Sequence, residues 1–465
     1  MEKGLRAPIV CVLGHVDHGK TTLLDAIRKS NVAGRETGGI TQAIGASTVT
    51  TKESKKITFI DTPGHAAFGK MRSRGADVSD IAILVVASDD GVAPQTKEAL
   101  EIIRGAKIPF IVAITKIDLP SASTESVLGQ LEKEGVLFEG RGGDTPYVPV
   151  SAKNGEGLEH LLETITLFAE VHGVKGDPAH SLEAVIIETS KDKRGDVASI
   201  VVRNGSIKVG GTIYVEGKAT KVRGLFDNQG KSIVEVLPGY PAQVIGFEGL
   251  PPIGTKVLSE TLETMKETIP GEGEKIGKLK EGQIPIFIKA KNEGTLEAIL
   301  ASLPGSIVVI NSGVGDVRES DVLLAKASNS TIFAFESAVS TSVSKLAEAD
   351  SVKIERFEII YELLQRLEEL VKKGQIEILG KAEIIASFPF NNKKVAGCKV
   401  LQGRINKTDS LILTRGEKQI GVIKAVSMKK QKQEINEAKA GEEFGILFEP
   451  QLDFVIGDVI LSVRK

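Results

Sequence analysis

Hydrophobic residues follow two different spacings along this chain. Up to about residue 170, apolar runs of strand length alternate with amphipathic helical stretches. The apolar runs include Ile57 to Ile60, Ile81 to Ala87 and Pro109 to Ile114, and the helical stretches include Thr96 to Arg104 and Leu158 to Phe168. Strands that alternate with helices form a mostly parallel sheet between helical layers. The pattern predicts a doubly wound α/β domain whose ligand loops lie at the carboxyl ends of its strands.

Short β-branched runs separated by glycines replace this pattern between residues 181 and 258 and return near the C-terminus. When Ala198 is aligned with Ala396, Gly205 falls on Gly403. Duplication of one segment and convergence of turn chemistry explain the agreement equally well. Either origin predicts two domains of one kind, and the spacing of strands and turns predicts a small β-barrel for each.

Between the barrels, strand-like runs alternate with helical stretches, which predicts a compact α/β sandwich. Apolar residues then follow steps of three and four from Phe357 to Leu370, which predicts a helix of about 17 residues that ends at Gly374. A rigid connecting rod is favoured over a docked helix, and both remain open. The predicted boundaries are 1–172 for the first α/β domain, 180–260 for the first barrel, 283–352 for the sandwich, 353–374 for the connecting helix and 376–465 for the second barrel, with a linker around 259–282.

Composition restricts the protein class. A chain of 465 residues with 41% hydrophobic content is enough for about three or four domains, each with its own core. Its two cysteines, Cys11 and Cys398, fall in different predicted domains, so a disulfide framework is not supported and a reducing compartment is expected. No stretch approaches ~18 uninterrupted apolar residues, and no apolar signal core precedes the first strand, so we expect a cytoplasmic protein without a membrane partner.

The formal net charge of −2 is unevenly distributed. Residues 381–465 contain 15 Lys and Arg against 10 Asp and Glu, a local excess of +5 that leaves −7 for the rest. A basic terminal domain suits a polyanionic partner, while an ordinary lysine-rich surface remains the alternative.

A phosphate-binding motif of the form G-x-x-x-x-G-K-T lies between a strand-like and a helix-like stretch near the N-terminus. Its glycines let the backbone approach a polyphosphate, while Lys20 supplies positive charge and the Thr21 hydroxyl a ligand for Mg²⁺. Two histidines and an aspartate inside the motif are spaced like metal ligands, but residues that only fill the loop are the favoured interpretation. The predicted binding residues are Gly14, His15, Val16, Asp17, His18, Gly19, Lys20, Thr21 and Thr22.

Three further motifs, each at the end of an apolar strand, indicate which nucleotide binds. Asp61-Thr-Pro-Gly64-His65 places a carboxylate within reach of Mg²⁺ through water and the Gly64 N–H beside a terminal phosphate. In Thr115-Lys116-Ile-Asp118, the carboxylate can accept the ring N–H and exocyclic amine of guanine, a donor pair that adenine lacks, while Lys116 lies flat on the base. Ser151-Ala152-Lys153 presents a backbone N–H to the guanine oxygen. We therefore expect GTP or GDP with Mg²⁺.

These motifs, together with Gly38-Gly39-Ile40-Thr41, resemble those of the translational GTPases. Thr115 is a departure, because this family usually has Asn at that position. A hydroxyl can still brace the phosphate loop, so guanine selectivity is expected to survive, whereas the affinity is left open.

The resemblance implies a catalytic mechanism. In this family the histidine equivalent to His65 orients the attacking water, and the apolar pair at Val16 and Ile40 keeps it away until a ribosome repositions it, so the free protein is expected to hydrolyse GTP slowly. Three arginines near the motifs, Arg35, Arg72 and Arg74, are candidates for an arginine finger, although solvated surface charge is the favoured interpretation. The implied catalytic residues are Lys20, Thr41 and His65, and the implied metal ligands are Thr21, Thr41 and Asp61.

The order of domains, and motifs such as Asn204 to Gly210, Ile359-Ile360-Tyr361 and Val395 to Cys398, resemble the bacterial family of translation initiation factor 2 over nearly the whole chain. The resemblance implies a monomer that works with both ribosomal subunits, initiator tRNA and other initiation factors. It also implies that the last barrel holds the formyl-methionyl end of the tRNA. The family's N-terminal extension is absent here, and a naturally short factor and a shortened chain are both compatible with this.

Carried over position by position, the resemblance implies a tRNA-binding surface on the last barrel. For Cys398 and Gly445, packing of the barrel is as good an interpretation as contact. Gln431 stands where an aromatic residue is usual and Phe444 where a cysteine is usual, which leaves recognition of the formyl group open. The implied residues are Gly397, Cys398, Arg415, Lys429, Lys430, Lys432, Glu443 and Gly445.

Two rival classes remain. An elongation factor, or the archaeal and eukaryotic initiation factor 5B, would share the first two domains and differ beyond residue 280. A scaffold that GTP only switches, with incidental turnover, is the non-enzymatic alternative.

Overall fold

The computed structural model describes residue 4 and residues 6–30, 41–260, 283–374, 377–390, 393–416, 418–431 and 433–464. It contains two compact units, Met1–Leu279 with Pro285–Gln365 and Lys280–Ile284 with Arg366–Lys465. Arg35, the Gly38-Gly39-Ile40 segment, Lys432 and almost all of the predicted linker lie outside the described residues.

A six-stranded sheet covered by helices forms the first domain. Its strands are β1 (Ile9–Gly14), β2 (Gly45–Thr50), β3 (Lys56–Asp61), β4 (Ile81–Ala87), β5 (Phe110–Thr115) and β6 (Tyr147–Pro149). Its helices are α1 (Lys20–Arg28), a 3-10 turn (Ala66–Phe68), α2 (Gly69–Val78), α3 (Pro94–Ala106), α4 (Thr124–Lys133) and α5 (Leu158–Val171). The strand order is β2-β3-β1-β4-β5-β6, with β2 antiparallel to β3 and the other pairs parallel. Every residue of β1 and β4 is buried, because helices cover both faces.

The parallel strands bring the predicted motifs to one edge of this sheet. The phosphate loop follows β1, the Asp61 to His65 loop follows β3, and the Thr115 to Asp118 loop follows β5. Since parallel strands end at the same edge, loops that are far apart in sequence become neighbours.

A predominantly antiparallel barrel follows. Its strands are β7 (Glu183–Asp192), β8 (Gly195–Asn204), β9 (Ile207–Lys208), β10 (Thr212–Val215), β11 (Lys218–Lys221), β12 (Gly224–Phe226), β13 (Ser232–Ile233), β14 (Glu235–Val236), β15 (Pro241–Ile245) and β16 (Lys256–Leu258). Eight of them form one sheet in the order β11-β10-β16-β7-β8-β15-β12-β13, and β14 pairs with β9. The strands enclose one apolar core that includes Ala184, Ile200, Leu225 and Val244.

The α/β sandwich ends with a strand in the segment where the sequence predicts the connecting helix. It comprises β17 (Ile284–Ala290), α6 (Glu293–Ala301), β18 (Ile307–Val314), α7 (Glu319–Ala327), β19 (Thr331–Phe335), α8 (Thr341–Ala349) and β20 (Ile354–Phe357), with strand order β18-β17-β19-β20. Residues 354–357 were predicted as part of the connecting helix, and the structure corrects this. They pair with β19 in parallel, and the 15-residue helix α9 (Ile360–Gly374) begins after them.

The second unit contains a closed barrel. Its strands are β21 (Glu377–Phe390), β22 (Lys393–Asn406), β23 (Ser410–Arg415), β24 (Lys418–Lys430), β25 (Gln433–Glu434), β26 (Glu437–Lys439), β27 (Glu443–Glu449) and β28 (Val459–Arg464). The order β21-β28-β23-β24-β27-β22 is closed by pairing of β21 with β22. Gly403 here and Gly205 in the first barrel, which the sequence alignment places at equivalent positions, both have φ +69°. The predicted fold class, a multidomain α/β plus β protein, is confirmed.

Candidate functional site

The loop between β1 and α1 forms a concave backbone surface around one lysine. Gly14 has φ +150°, and a Cβ there would lie 2.3 Å from the carbonyl oxygen of Val85, so only glycine fits. The Nζ of Lys20 donates to the carbonyl oxygens of Gly14 at 3.0 Å and His15 at 2.5 Å. Burial lowers the pKa of Lys20 to about 8. A polyphosphate held by this loop at the N-terminus of α1 would stabilise the charged form of Lys20.

One cavity of about 240 Å³ joins this loop to three other segments. Its wall includes Lys20 and Thr21 from the loop, Thr41, Gly64 from the segment after β3, and Lys116 from the segment after β5. Asp118 and the Ser151 to Lys153 segment do not line it. Three of the four predicted motifs therefore face the same space.

The two histidines of the loop contact each other, and one of them also binds a carboxylate. His18 is buried, with its Nε2 3.0 Å from a carboxylate oxygen of Asp90, and the His15 ring lies edge-on to it with centroids 5.0 Å apart. In the part of the chain that the structure describes, no group of three or more His, Cys, Asp or Glu side chains could hold a metal ion. Asp90 therefore holds His18 in place, and His15 packs against the His18 ring.

The three predicted magnesium ligands are two hydroxyls and one carboxyl. The Oγ1 atoms of Thr21 and Thr41 lie 2.8 Å apart. Asp61 ends β3 in a buried position, where burial raises its pKa to about 6 and its Oδ2 lies 3.9 Å from the Arg28 guanidinium. Its buried Oδ1 has no hydrogen-bond partner among the described residues. An unpartnered buried carboxylate oxygen is costly unless a donor or a cation binds it.

The segment after β3 is packed closely against the phosphate loop. The Thr62 hydroxyl donates to the Val12 carbonyl at 2.7 Å, which fixes the start of the turn. At Gly64, an added Cβ would lie 2.5 Å from the Lys20 Nζ and 3.2 Å from a methyl group of Val16. Only a residue without a side chain lets the backbone approach Lys20 this closely.

His65 is held by its own turn and by a distant helix. Its Nδ1 accepts the Ala67 N–H at 2.9 Å, which places the proton of the neutral ring on Nε2. The ring meets Tyr361 of α9 edge to face, with centroids 4.1 Å apart and an interplanar angle of 80°. Burial, and secondarily the charge of Arg72, lowers the pKa of His65 below its ordinary value. The ring is therefore neutral near pH 7.

In the predicted guanine loop, the Thr115 hydroxyl forms a hydrogen bond to the phosphate loop, at the position where the resembling family usually has asparagine. The Thr115 Oγ1 donates to the His18 carbonyl at 2.7 Å, which braces the phosphate loop as the sequence predicts. Asp118 accepts the Ser151 hydroxyl at 2.7 Å, and this hydrogen bond lowers the pKa of the carboxyl. Asp118 is thus oriented and ionised.

Two of the arginine-finger candidates have specific partners. Arg72 is buried and donates to three carbonyl oxygens of residues 63–65, so it is neither a finger nor solvated surface charge. The guanidinium of Arg74 is mostly buried and lies 2.7 Å from Glu297 of α6. Surface charge is therefore the wrong interpretation for both.

Gln42, next to Thr41, was not singled out by its sequence context. Its buried amide donates to the Glu358 carbonyl at 2.6 Å and accepts the Ile360 N–H at 3.0 Å. Its own carbonyl accepts the Thr295 hydroxyl at 3.4 Å. Gln42 therefore connects the Thr41 segment with the start of α9 and the sandwich domain.

Two glycines of the predicted tRNA surface lie side by side. Gly397 of β22 pairs with Gly445 of β27, and Gly445 pairs with Lys429 of β24. The half-exposed ring of Phe388 covers Gly397, since a Cβ there would lie 3.0 Å from the ring. Cys398, the next residue, points into the core with its register partner Phe444, and burial raises its pKa to about 12. For Cys398 this is the packing position that the sequence left open.

The charged residues of this surface differ in their pairing. Arg415 binds Asp458 at 2.8 Å, and Lys430 binds Glu442 at 2.8 Å. Lys429 and Glu443 are exposed. Lys432 lies outside the described residues.

Arg72 and Tyr361 carried weak signals in the sequence. Arg72 falls on the face of α2 that also buries Met71, Gly75 and Ala76, and a charged residue on an apolar face indicates a buried polar partner. Tyr361 belongs to the apolar stripe of α9, yet 47% of it is exposed.

None of the described helices has the combination of length and apolar character that a membrane-spanning helix needs. Cys11 and Cys398 are both buried free thiols.

Three family models match the chain. The elongation factor Tu GTP binding domain matches residues 5–170, elongation factor G domain 2 matches residues 181–260, and translation-initiation factor 2 matches residues 258–368. Together they cover the first α/β domain, the first barrel, the sandwich and the beginning of α9.

Individual relatives cover nearly all of it. Translation initiation factor IF-2 of Dehalococcoides mccartyi is 38% identical over 99% of this chain and 82% of its own, and that of Hyphomonas neptunium is 39% identical over 98% and 58%. This chain thus spans little more than half of the second relative. The crystal structure of GDP-bound aIF5B from Aeropyrum pernix is similar over 99% of this chain and 92% of its own, with 28% identity and a TM-score of 0.47.

Proposed function

This chain belongs to the family of translation initiation factor IF-2, and we propose that it binds initiator formyl-methionyl-tRNA, promotes its placement on the small ribosomal subunit and subunit joining, and hydrolyses GTP when the ribosome activates it. Its first domain is a GTP-binding domain of the translational GTPase type. The observation that carries the residue-level proposal is the single cavity in which Lys20, Thr21, Thr41 and Gly64 meet.

The donor set fits a magnesium ion. Mg²⁺ prefers hard oxygen ligands, and the site offers the Thr21 and Thr41 hydroxyls and an Asp61 carboxylate oxygen without another partner. When bound together with the nucleotide, it would neutralise charge on the β- and γ-phosphates. Thr21, Thr41 and Asp61 would hold it, Asp61 through a water molecule.

Lys20 and Gly64 prepare the site for phosphate. The ammonium of Lys20 lies on the carbonyls of Gly14 and His15, and it exchanges them for phosphate oxygens when a nucleotide enters. Gly64 is adjacent to that ammonium, which supports a role for its N–H in binding the γ-phosphate that GDP lacks. Thr41 lines the same cavity and contacts Thr21.

His65 is a neutral group that can orient an attacking water through Nε2, but its ring is packed on Tyr361. Release from Tyr361 is the step we assign to the ribosome. Because Tyr361 is on α9 and Gln42 binds the start of the same helix, the state of the Thr41 segment and the position of His65 are coupled.

The last barrel supplies the tRNA surface. Gly397 and Gly445 leave a flat strip between the Phe388 ring and Lys429. A methionyl side chain can pack on such an aromatic ring. Lys429 is positioned to bind a nearby phosphate, so binding would weaken as salt increases.

GTP turnover by the full chain, with and without assembled ribosomes, tests the enzymatic part. We expect slow turnover alone, strong stimulation by ribosomes, and loss of the stimulated rate in His65→Ala. Equal binding of ATP and GTP would contradict the assignment, and an unchanged stimulated rate in His65→Ala would favour a switching scaffold or another catalytic group.

Retention of initiator tRNA against elongator tRNA on the full chain tests the second part. Preference for the formylated initiator supports the proposal. Equal retention of both tRNAs would contradict the proposed selective binding of initiator tRNA.

A further inference from the structure

Arg72 is the largest fully buried side chain among the described residues. It lies in the first turn of α2, and its Nη1 donates to the carbonyl oxygens of Pro63 at 3.2 Å, Gly64 at 3.3 Å and His65. Its Nη2 binds Glu98 of α3, whose side chain is partly exposed. One guanidinium therefore binds three consecutive carbonyl groups, and a carboxylate holds the guanidinium in place.

The direction of these carbonyls determines where the intervening N–H groups point. In a trans peptide unit, the carbonyl of one residue and the N–H of the next point in opposite directions. Because the carbonyls of Pro63 and Gly64 face Arg72, the N–H groups of Gly64 and His65 face away from it. Gly64 lies directly against the Lys20 ammonium, at the cavity for the phosphates.

We propose that Arg72 is a positioning residue for GTP hydrolysis, because it binds the carbonyl groups of residues 63–65 and thereby presents the N–H groups of Gly64 and His65 to the γ-phosphate. The inference rests on the proposed GTP binding at this cavity. Arg72 does not line the cavity, so it would act through this loop.

The fork geometry of arginine is essential to this role. Nη1 and Nη2 lie in one plane, so one nitrogen can bind the loop while the other binds Glu98. Lysine has the same charge but presents it from a single nitrogen on a flexible stem. Arg72→Lys therefore keeps the charge and loses the geometry, whereas Arg72→Gln loses both.

The charge has a second effect that separates the two variants. Arg72 contributes to the lowered pKa of His65, although burial contributes more. His65 faces Arg72 from α2, with Glu98 behind it, and the uncharged rings of Phe68 and Tyr361. The charged residues Asp17, Lys20 and Lys116 line the same cavity as His65 and are the same in all the variants. Removing the charge should raise the pKa of His65 and move the acid limb of the hydrolysis profile to higher pH, and lysine should leave that limb unchanged.

The test uses the full chain with ribosomes. Affinities for GDP and for a β,γ-imido analogue of GTP are measured by calorimetry, and kcat and KM by turnover across pH 5.5–8.5. Arg74→Gln is the matched control, since this arginine lies on the same helix but pairs with Glu297. If a substitution merely disturbed helix α2, it would weaken the binding of both nucleotides equally.

We expect Arg72→Lys and Arg72→Gln to keep the wild-type affinity for GDP, to lose affinity for the analogue, and to lose kcat on the order of 100-fold, as misplacement by about 1 Å does elsewhere. Only Arg72→Gln should shift the acid limb. Glu98→Ala, at a partly exposed position, should also lose affinity for the analogue and kcat, but by a smaller factor than the Arg72 variants.

The proposal would be overturned if both Arg72 variants kept the wild-type affinity for the analogue and the wild-type kcat. An equal loss of affinity for GDP and for the analogue would also overturn it. If the Arg72 variants do not fold, an unchanged Glu98→Ala overturns it. Failure of the wild-type protein to bind either nucleotide would instead remove the proposed function on which it rests.

Discussion

The rings of His65 and Tyr361 are in edge-to-face contact, with their centroids 4.1 Å apart. Tyr361 is the second residue of α9, and His65 follows β3 almost 300 positions earlier. The side chain proposed to orient water is thus held by the helix that leaves the sandwich domain.

Replacing Tyr361 with Ala should increase GTP turnover in the absence of ribosomes. An aromatic pair of this kind is worth roughly 0.5–1.5 kcal/mol beyond its buried area, so releasing His65 should raise the basal rate about 2- to 13-fold. Tyr361→Phe keeps the ring contact and should behave like the wild type. A basal rate in Tyr361→Ala that is equal to or below that of Tyr361→Phe would contradict the holding role.

Replacing Gln42 with Ala should loosen the start of α9. The variant loses the acceptor for the buried Ile360 N–H and the donor to the Glu358 carbonyl. Since a lost hydrogen bond of this kind costs about 1 kcal/mol, exchange of the Ile360 amide should become about fivefold faster. Hydrogen exchange with mass spectrometry measures this, and Gln42→Glu, which keeps only the acceptor, should protect Ile360 better than Ala does. Equal protection in all three proteins would show that Gln42 does not hold the helix.

The sequence predicted the phosphate loop, Asp61, Gly64 and the guanine loop because each follows an apolar strand, and parallel strands end at one edge. It could not predict the contacts of Gln42, Arg72 and Tyr361, because their partners come from other elements. The apolar face of α2 indicates only that Arg72 has a buried polar partner, and it does not indicate that the partners are the carbonyl groups of residues 63–65.

The start of α9 illustrates a second limit. Phe357 and Ile360 are spaced three apart, as on one face of a helix, but Phe357 is the last residue of a strand. Short apolar runs fit both periods, and only pairing with β19 distinguishes them.

Replacing Thr115 with Val should weaken GDP and GTP binding by the same factor. The buried hydroxyl donates to the His18 carbonyl, and valine leaves that carbonyl without this donor. The penalty of about 1–3 kcal/mol corresponds to roughly 5- to 150-fold, and it applies equally because both nucleotides occupy the same loop. Calorimetry with both nucleotides measures it, and Thr166→Val on α5, whose hydroxyl donates to the Leu162 carbonyl, is the control. A loss confined to GTP would mean that Thr115 acts on the γ-phosphate site instead.

Glu188 lies where α2, β7 and α6 meet. Its Oε1 accepts the N–H groups of Thr189 at 2.8 Å and Gly294 at 3.0 Å, while burial raises its pKa from 4.5 to about 7. The folded protein therefore holds the proton more tightly than the unfolded chain. Its stabilising effect is fully present below pH 4.5 and is lost as the pH rises toward 7.

Glu188→Gln should remove this loss. The amide still accepts the two N–H groups but does not ionise, so the variant should match the wild type near pH 5 and exceed its stability at pH 8 by on the order of 2 to 3 kcal/mol. Thermal melting of both proteins across this range measures the difference, with Glu101→Gln on the exposed side of α3 as the control. If the melting temperatures of wild type and Glu188→Gln change with pH in the same way, ionisation of Glu188 does not destabilise the folded protein.

A methyl group added at Gly397 would meet different neighbours from one added at Gly445. Because of this difference, substitution of Gly445 tests the tRNA proposal without disturbing the barrel. At Gly397 a Cβ would lie 3.0 Å from the Phe388 ring and 3.1 Å from Ala386, so substitution there disturbs the surface. At Gly445 the nearest atoms are a Val395 methyl at 3.6 Å and the Lys429 carbonyl at 3.9 Å, which is ordinary contact. Gly445→Ala should therefore fold normally.

A ligand that packs against the glycine strip would nevertheless meet the new methyl group. Overpacking of a fitted site costs typically about 1–3 kcal/mol, so Gly445→Ala should weaken retention of formyl-methionyl-tRNA by roughly 5- to 150-fold, while GTP turnover with ribosomes stays within twofold of wild type. Gly129→Ala on α4, where a Cβ meets nothing within 4 Å, controls for the substitution itself. Because the methyl adds no charge, the loss should persist at all salt concentrations, unlike a loss at Lys429. Undiminished retention by a folded Gly445→Ala protein would place the tRNA end elsewhere on the barrel.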